Sequence, residues 1–274
     1  MNRSACKLVP FFLYLLLAYP PKPIQCQNAP AKTRATPILL ELFTSEGCSS
    51  CPPADALLQQ LDAHQPLPDA QIIVLSEHVD YWNYLGWIDP YSSSLVTDRQ
   101  AAYVRALGLS SPYTPQLIVD GTRELQLGNQ RQVNDVLLKA AKAPRIPVSI
   151  ASVLIENSAP AILRAHIEVD GTSSRQNADI FAAIALDRAE SQVLHGENGG
   201  HRLRHVAVVQ ELAKIGKLEK GKTFTQEYQL KLKPGQDPKN LRLVVFVQES
   251  GPGSVLGAAL KEIGSASNQE SAAR

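Results

Sequence analysis

Cys48 and Cys51 are the residues of this chain best suited to chemistry. Two thiols at this spacing can close a short-range disulfide, bind a soft metal, or do both in turn. A strand-like run, Ile38 to Thr44, leads into the pair, and a helix-like run, Ala54 to Ala63, leaves it. The start of a helix offers free N–H groups and the positive end of the dipole, both of which favour thiolate over thiol. Cys48 is therefore the expected nucleophile. Cys51, one turn further in and shielded, is the expected resolving thiol that releases a mixed disulfide. Pro52 and Pro53 are tolerated only in a first turn, so the regular helix should start near Ser50 or Cys51, with Cys48 in the loop before it.

Histidines supply the other candidates. His78-Val79-Asp80-Tyr81-Trp82 follows a buried strand, at the sheet edge where α/β proteins place their sites. His78 could move a proton, with Asp80 orienting it, or both could simply cap the next turn. Trp82, Tyr84 and Trp87 suit either a substrate groove or the core of the segment they occupy. His195, His201 and His205, with Glu197, form a second cluster that could ligate copper or zinc, or be a polar loop beside a domain interface. His64 and His166 have no distinguishing context.

The elements that must position these groups change character along the chain. Residues 36–143 alternate strands with helices: strand 37–44, helix 53–63, strand Gln71–Ser76, and a helix around Thr97–Leu107. A hairpin over Gln116–Asp120 and Arg123–Leu127 turns at Gly121, and Asn129 caps a last helix, Gln130–Lys142. Such alternation predicts a mixed α/β sheet covered on both faces. Pro144 and Pro147 mark a boundary. Beyond it, β-branched runs at 147–155, 161–169, 179–187, 204–210, 224–232 and 241–248 predict an all-β, sandwich-like domain over 146–262. The small, polar residues 265–274 read as a disordered tail.

The N-terminus carries an address. Arg3 and Lys7 precede an apolar stretch, Leu8 to Tyr19, of secretory-signal rather than membrane-spanning length. Residues 1–31 are expected to be a signal peptide and leader, with cleavage after Cys26 or after Ala29-Pro30-Ala31. Either cut removes Cys6 and Cys26, leaves Cys48 and Cys51 as the only cysteines, and leaves no stable membrane span. The expected destination is periplasmic or secreted, where disulfides persist. A net charge of +1 with 19% charged residues gives no field for nucleic acid or acidic lipid, and His201-Arg202-Leu203-Arg204 is not part of a basic stripe.

The run Leu42-Phe43-Thr44-Ser45-Glu46-Gly47-Cys48-Ser49-Ser50-Cys51 resembles the active-site segment of thioredoxin-family proteins, and Tyr113-Thr114-Pro115-Gln116-Leu117-Ile118-Val119-Asp120-Gly121 resembles that family's cis-proline strand and turn. The resemblance covers 36–143. It implies a thioredoxin-like α/β fold, a cis Pro115 facing the dithiol, and Thr114 pairing with an extended substrate chain. Three departures stand out. Gly47 replaces the usual tryptophan; Leu42 occupies the position of a buried carboxylate, with Glu41 facing the other side of the strand; and the segment near 78–100 is longer. Glu46 to Asp55, His78 to Trp82 and Tyr113 to Gln116 together look like an uncharacterised bacterial family of secreted thioredoxin-like proteins with a β-rich second domain, which implies fold and export but no established activity.

The leading expectation is an exported thiol–disulfide oxidoreductase in which Cys48, Cys51, Pro115, Thr114 and His78 form the site, with no cofactor. Its partners would be protein or small thiol and disulfide substrates, and a redox partner protein. Two alternatives remain: a copper-handling protein holding Cu(I) on Cys48, Cys51 and His78, and a binding module whose disulfide is purely structural.

Overall fold

Strand β1 (Thr36–Thr44) is buried from Ile38 to its end, because it is paired on both edges and covered on both faces. The computed structural model describes residues 35–264, apart from 126 and 157. The expected leader and the expected tail lie outside the described residues. β1 pairs in parallel with β2 (Ala70–His78), in register from Thr36–Ala70 to Thr44–His78. A parallel pair needs a crossover, here helix α1 (Pro52–His64). On the other edge β3 (Gln116–Val119) runs antiparallel to β1 and turns into β4 (Arg123–Leu125). Gly121, at φ 72°, makes that turn, and a Cβ there would lie 2.2 Å from the carbonyl oxygen of Gly253. Helices α2 (Ser94–Ala106) and α3 (Gln130–Ala140) are N-capped by the Ser93 and Asn129 side chains. No helix among the described residues is long and apolar enough to cross a membrane.

The β-rich half supplies β5 (Val148–Glu156), β6 (Ile162–Asp170), β7 (Ala178–Gln192), β8 (Arg202–Leu218), β9 (Thr223–Lys231), β10 (Leu241–Gln248) and β11 (Val255–Glu262). Strands β5, β6 and β9 form a three-stranded sheet. The other four continue the sheet begun in the N-terminal half, in the order β11-β10-β7-β8-β2-β1-β3-β4. Residues on either side of Pro144 and Pro147 thus belong to one compact unit and share a single large mixed sheet. The two-layer packing expected of a sandwich is present, with one layer borrowed: Leu243, Val245 and Val247 of β10 pack with the small sheet, while Val244 and Phe246 join the core that includes β1, β2 and α1. Alternation along a strand divides these side chains between two cores.

The join is a parallel contact between Ser76 of β2 and Val208 of β8. Ala207, beside it, adopts φ 52°, a left-handed conformation that costs a non-glycine residue about 1–2 kcal/mol and that the surrounding packing must hold. Arg242 of β10 braces the arrangement from below, donating to Asp62 of α1 at 2.8 Å and to Asp187 at 2.9 Å. Strand β11 escaped the sequence reading because its Gly257 and alanines carry little β propensity. Its glycine is needed: a Cβ would meet the carbonyl oxygen of Ile146 at 2.3 Å.

If the sheet is cooperative across the join, residues 35–143 should not fold alone, since β2 would lose its outer neighbour. Circular dichroism of that fragment should show no cooperative thermal transition, whereas residues 35–264 should show one.

Candidate active site around the Cys48–Cys51 disulfide

After β1 ends, Ser45, Glu46 and Gly47 turn the chain into the dithiol. The Cys48 amide donates to Ser45 O and the Cys51 amide to Cys48 O, both at 3.1 Å. Cys51 is the N-cap of α1, and Pro52 and Pro53 occupy the next two positions, so Cys48 lies in the loop as expected. The sulfurs are joined in a disulfide, and both cysteines are buried while Ser49 and Ser50 are exposed. The Thr114–Pro115 peptide is cis. Pro115 lines a groove of about 760 Å³ together with Ser50, Pro53, Leu57 and Tyr113. The Thr114 hydroxyl accepts from Trp82 Nε1 at 2.8 Å. Trp82 also lies against Gly47 through its Cβ and carbonyl oxygen: a Cβ on residue 47 would approach Trp82 Cβ to 3.0 Å, so the smaller residue makes room for Trp82.

Glu46 and Asp55, which flank the dithiol in the chain, belong to a buried ionic network. His78 is wholly buried, and its Nδ1 meets Asp89 Oδ2 at 2.7 Å. Asp80 instead accepts from the Thr97 hydroxyl at 2.6 Å, so Asp89 and not Asp80 orients His78. Burial would raise the Asp89 pKa, but the His78 imidazole and the amides of Glu46 and Tyr91 hold it below its usual value. The His78 ring packs edge-on against His205 at 4.7 Å between centroids. His205, from β8, has Nε2 3.3 Å from Glu46 Oε1 and Nδ1 3.7 Å from Asp55 Oδ1. Burial works against a charged His205, yet the Asp55 and Glu46 carboxylates outweigh it and push its pKa up to about 9. Glu46 also accepts from Trp87 Nε1 at 2.8 Å, and Asp55 from the Thr44 hydroxyl at 3.2 Å. Such a set of buried, mutually paired acids and imidazoles can hold a proton within the protein.

The loop between β7 and β8 closes over the dithiol turn. Asn198 Nδ2 donates to the carbonyls of Glu46 and Cys48 at 2.8 and 3.0 Å. Glu197 Oε2 accepts from the Ser49 amide at 3.0 Å. The three C-terminal histidines are not gathered: His205 is buried in the network, whereas His195 and His201 are exposed. Among the described residues no three His, Cys, Asp or Glu side chains stand where they could hold one metal ion. A second buried cluster occupies the other side of β1, the side expected for Glu41. Glu41 accepts from Arg99 Nε at 2.6 Å and from Tyr103 at 2.5 Å, and burial together with the Glu41 charge drives the nearby Glu77 pKa well above normal.

Asp55, Asp89, Glu46 and Asn198 were not legible as site residues. Only Asp55 left a signal, since it stands one helical turn beyond Cys51 and shares its buried face.

With this geometry in hand, comparison places the chain. It belongs to the DUF1223 family, a family of proteins of unknown function, whose model matches residues 39–248. It is similar to a crystal structure of protein AGR_C_4864 from Agrobacterium tumefaciens, with 28% identity, a TM-score of 0.64, and 84% of this chain and 96% of that one covered. It also shares its fold with HBP35 of Porphyromonas gingivalis, with 17% identity, a TM-score of 0.61, and 84% and 76% covered. No curated protein matches the sequence.

The His205 pair makes a signed prediction. A folded-state pKa near 9 lies above the unfolded value of about 6.5, so its stabilisation is complete below about pH 6.5 and is lost as pH rises through 9. The unfolding free energy from urea titrations should fall between pH 7 and 9.5 by at most about 3 kcal/mol. His205→Gln should remove this slope.

Proposed function

We propose that the chain is an exported thiol–disulfide oxidoreductase whose N-terminal half is thioredoxin-like. One arrangement carries the reading: a closed Cys48–Cys51 disulfide at the start of α1 borders an uncharged groove lined by Ser50 from the dithiol turn and by Pro115 from the start of β3. An extended chain lying in that groove brings its own sulfur to the pair. In one direction a substrate thiolate attacks Cys48, the Cys48–Cys51 bond breaks, and Cys51 leaves and gains a proton. A second substrate thiolate then attacks the substrate sulfur of the mixed disulfide, forms the substrate disulfide and releases Cys48. Two electrons pass to the protein, and the reverse sequence reduces a substrate. Thr114, with its hydroxyl held by Trp82, and Pro115 position the chain. His78, fixed by Asp89, belongs to the buried set that can hold a proton.

A second reading, a binding module with a structural disulfide, is favoured by the burial of both cysteines. Their reduction potential separates the two. A value between about −120 and −270 mV, from glutathione or dithiothreitol titration read by alkylation and mass, supports the oxidoreductase, and one below about −300 mV sinks it. Cys51→Ser should accumulate mixed disulfides with disulfide substrates, as the Cys48 thiolate attacks and expels one substrate thiol, and Cys48→Ser should not. Stoichiometric copper on the reduced chain would instead favour metal handling.

A further inference from the structure

The charge at the mouth of this site comes from outside the N-terminal half. Glu197 reaches across from the loop between β7 and β8 to accept the amide of Ser49, the residue directly after the nucleophile, at 3.0 Å. The same loop is anchored by Asn198, whose amide is buried and bonded to both Glu46 O and Cys48 O. Gly196 packs against Trp87 and takes φ 77°, which sets the path of the loop. Glu197 is therefore a fixed acid, even though it is exposed to solvent. Its carboxylate is held below its usual pKa by the Ser49 hydrogen bonds.

No charged side chain lines the adjoining groove. On the far side a second carboxylate, Glu124, is held by the Tyr113 hydroxyl at 2.9 Å and by Gln116 Nε2 at 2.7 Å, and Tyr113 itself lines the groove. The arginines of β8, Arg202 and Arg204, share Glu190 and line a separate pocket with Pro52 and Gln59, away from this groove. A substrate thus meets an apolar floor with an acid at the sulfur end.

We propose that Glu197 is a specificity-determining residue, selecting thiols and disulfides that carry a positive charge next to their sulfur, such as cysteines of a polypeptide flanked by lysine or arginine, and disfavouring anionic small thiols. The inference rests on the oxidoreductase reading and names its substrate class. Like charges at this range repel, and opposite charges attract, by an amount that solvent reduces and salt screens. In each reaction the thiolate forms a bond to Cys48, the Cys48–Cys51 bond breaks, and the thiol supplies the electrons.

The test compares how fast cysteamine (cationic), glutathione (anionic) and dithiothreitol (neutral) open the disulfide of the full chain. Each rate is expressed per thiolate and divided by that thiol's rate on a small reference disulfide. Cysteamine should lead glutathione, and Glu197→Gln, which keeps an oxygen for the Ser49 amide, should cut that preference about tenfold. On the unsubstituted chain, raising salt from 0.01 to 1 M should shrink the same preference, which needs no variant to fold. Equal rates for the two charged thiols, a preference unchanged by Glu197→Gln, or opening by dithiothreitol alone would overturn the proposal. The reduction potential is a separate readout: a value below about −300 mV defeats the oxidoreductase reading whatever the charge preference.

Discussion

Strand β2 has two edges, and the N-terminal half satisfies only one of them. β1 pairs with it along its whole length, while the other edge would face solvent with unpaired amides and carbonyls on a strand that is buried almost throughout. An open edge of that kind is an aggregation template, and folds cover it. Here β8 does so, at Ser76–Val208, and everything distinctive about the site follows. Covering the edge brings His205 between Glu46 and Asp55 and carries the loop ending in Glu197 and Asn198 onto the dithiol turn. The β-rich half is thus part of the site's wall.

Strand alternation then separates two sets of buried ionisable groups. On β2, Glu77 turns toward Arg99 and Glu41, and its neighbour His78 turns toward Asp89 and His205. On β1, Glu41 faces Arg99 and Tyr103 while Thr44 serves Asp55. A buried charge is costly unless it is paired and hydrogen-bonded. The two sets solve this differently. Arg99 is paired with Glu41, and burial together with the Glu41 charge raises the Glu77 pKa well above normal; His205 stays charged because two carboxylates face it. The first set braces α2 against the sheet. The second ties β8 to Glu46 and Asp55, which flank the dithiol in the chain.

Much of the architecture was legible because it is local. The strand-like run of β1 and the near-continuous apolar run of β2, alternating with helices, predicted a covered α/β sheet, Asn129 predicted the start of α3, and the two prolines predicted where α1 begins. Six of the seven later strands announced themselves by β-branched alternation. What stayed hidden was the strand pairing across Pro144 and Pro147. Pro144 and Pro147 do change the periodicity, but periodicity reports neighbours in sequence and says nothing about which strand lies beside which. Asp80 was the natural partner for His78 by proximity along the chain, yet a residue two positions on need not point back, and Asp89 from a longer loop took the place.

The sequence by itself determined the chemistry on offer: a thiol pair at the head of a helix, a proline before a short strand, and the secondary structure that presents them. Those follow from short-range preferences, which fifteen or so residues are enough to express. The tertiary structure alone decided the surroundings, namely that Glu46, Asp55 and His205 meet, that His195 and His201 do not join them, and that an acid from residue 197 sits over residue 49. These contacts join residues about 150 positions apart. They exist because an exposed strand edge had to be covered and buried charges had to find partners, constraints that arise only once the chain has folded.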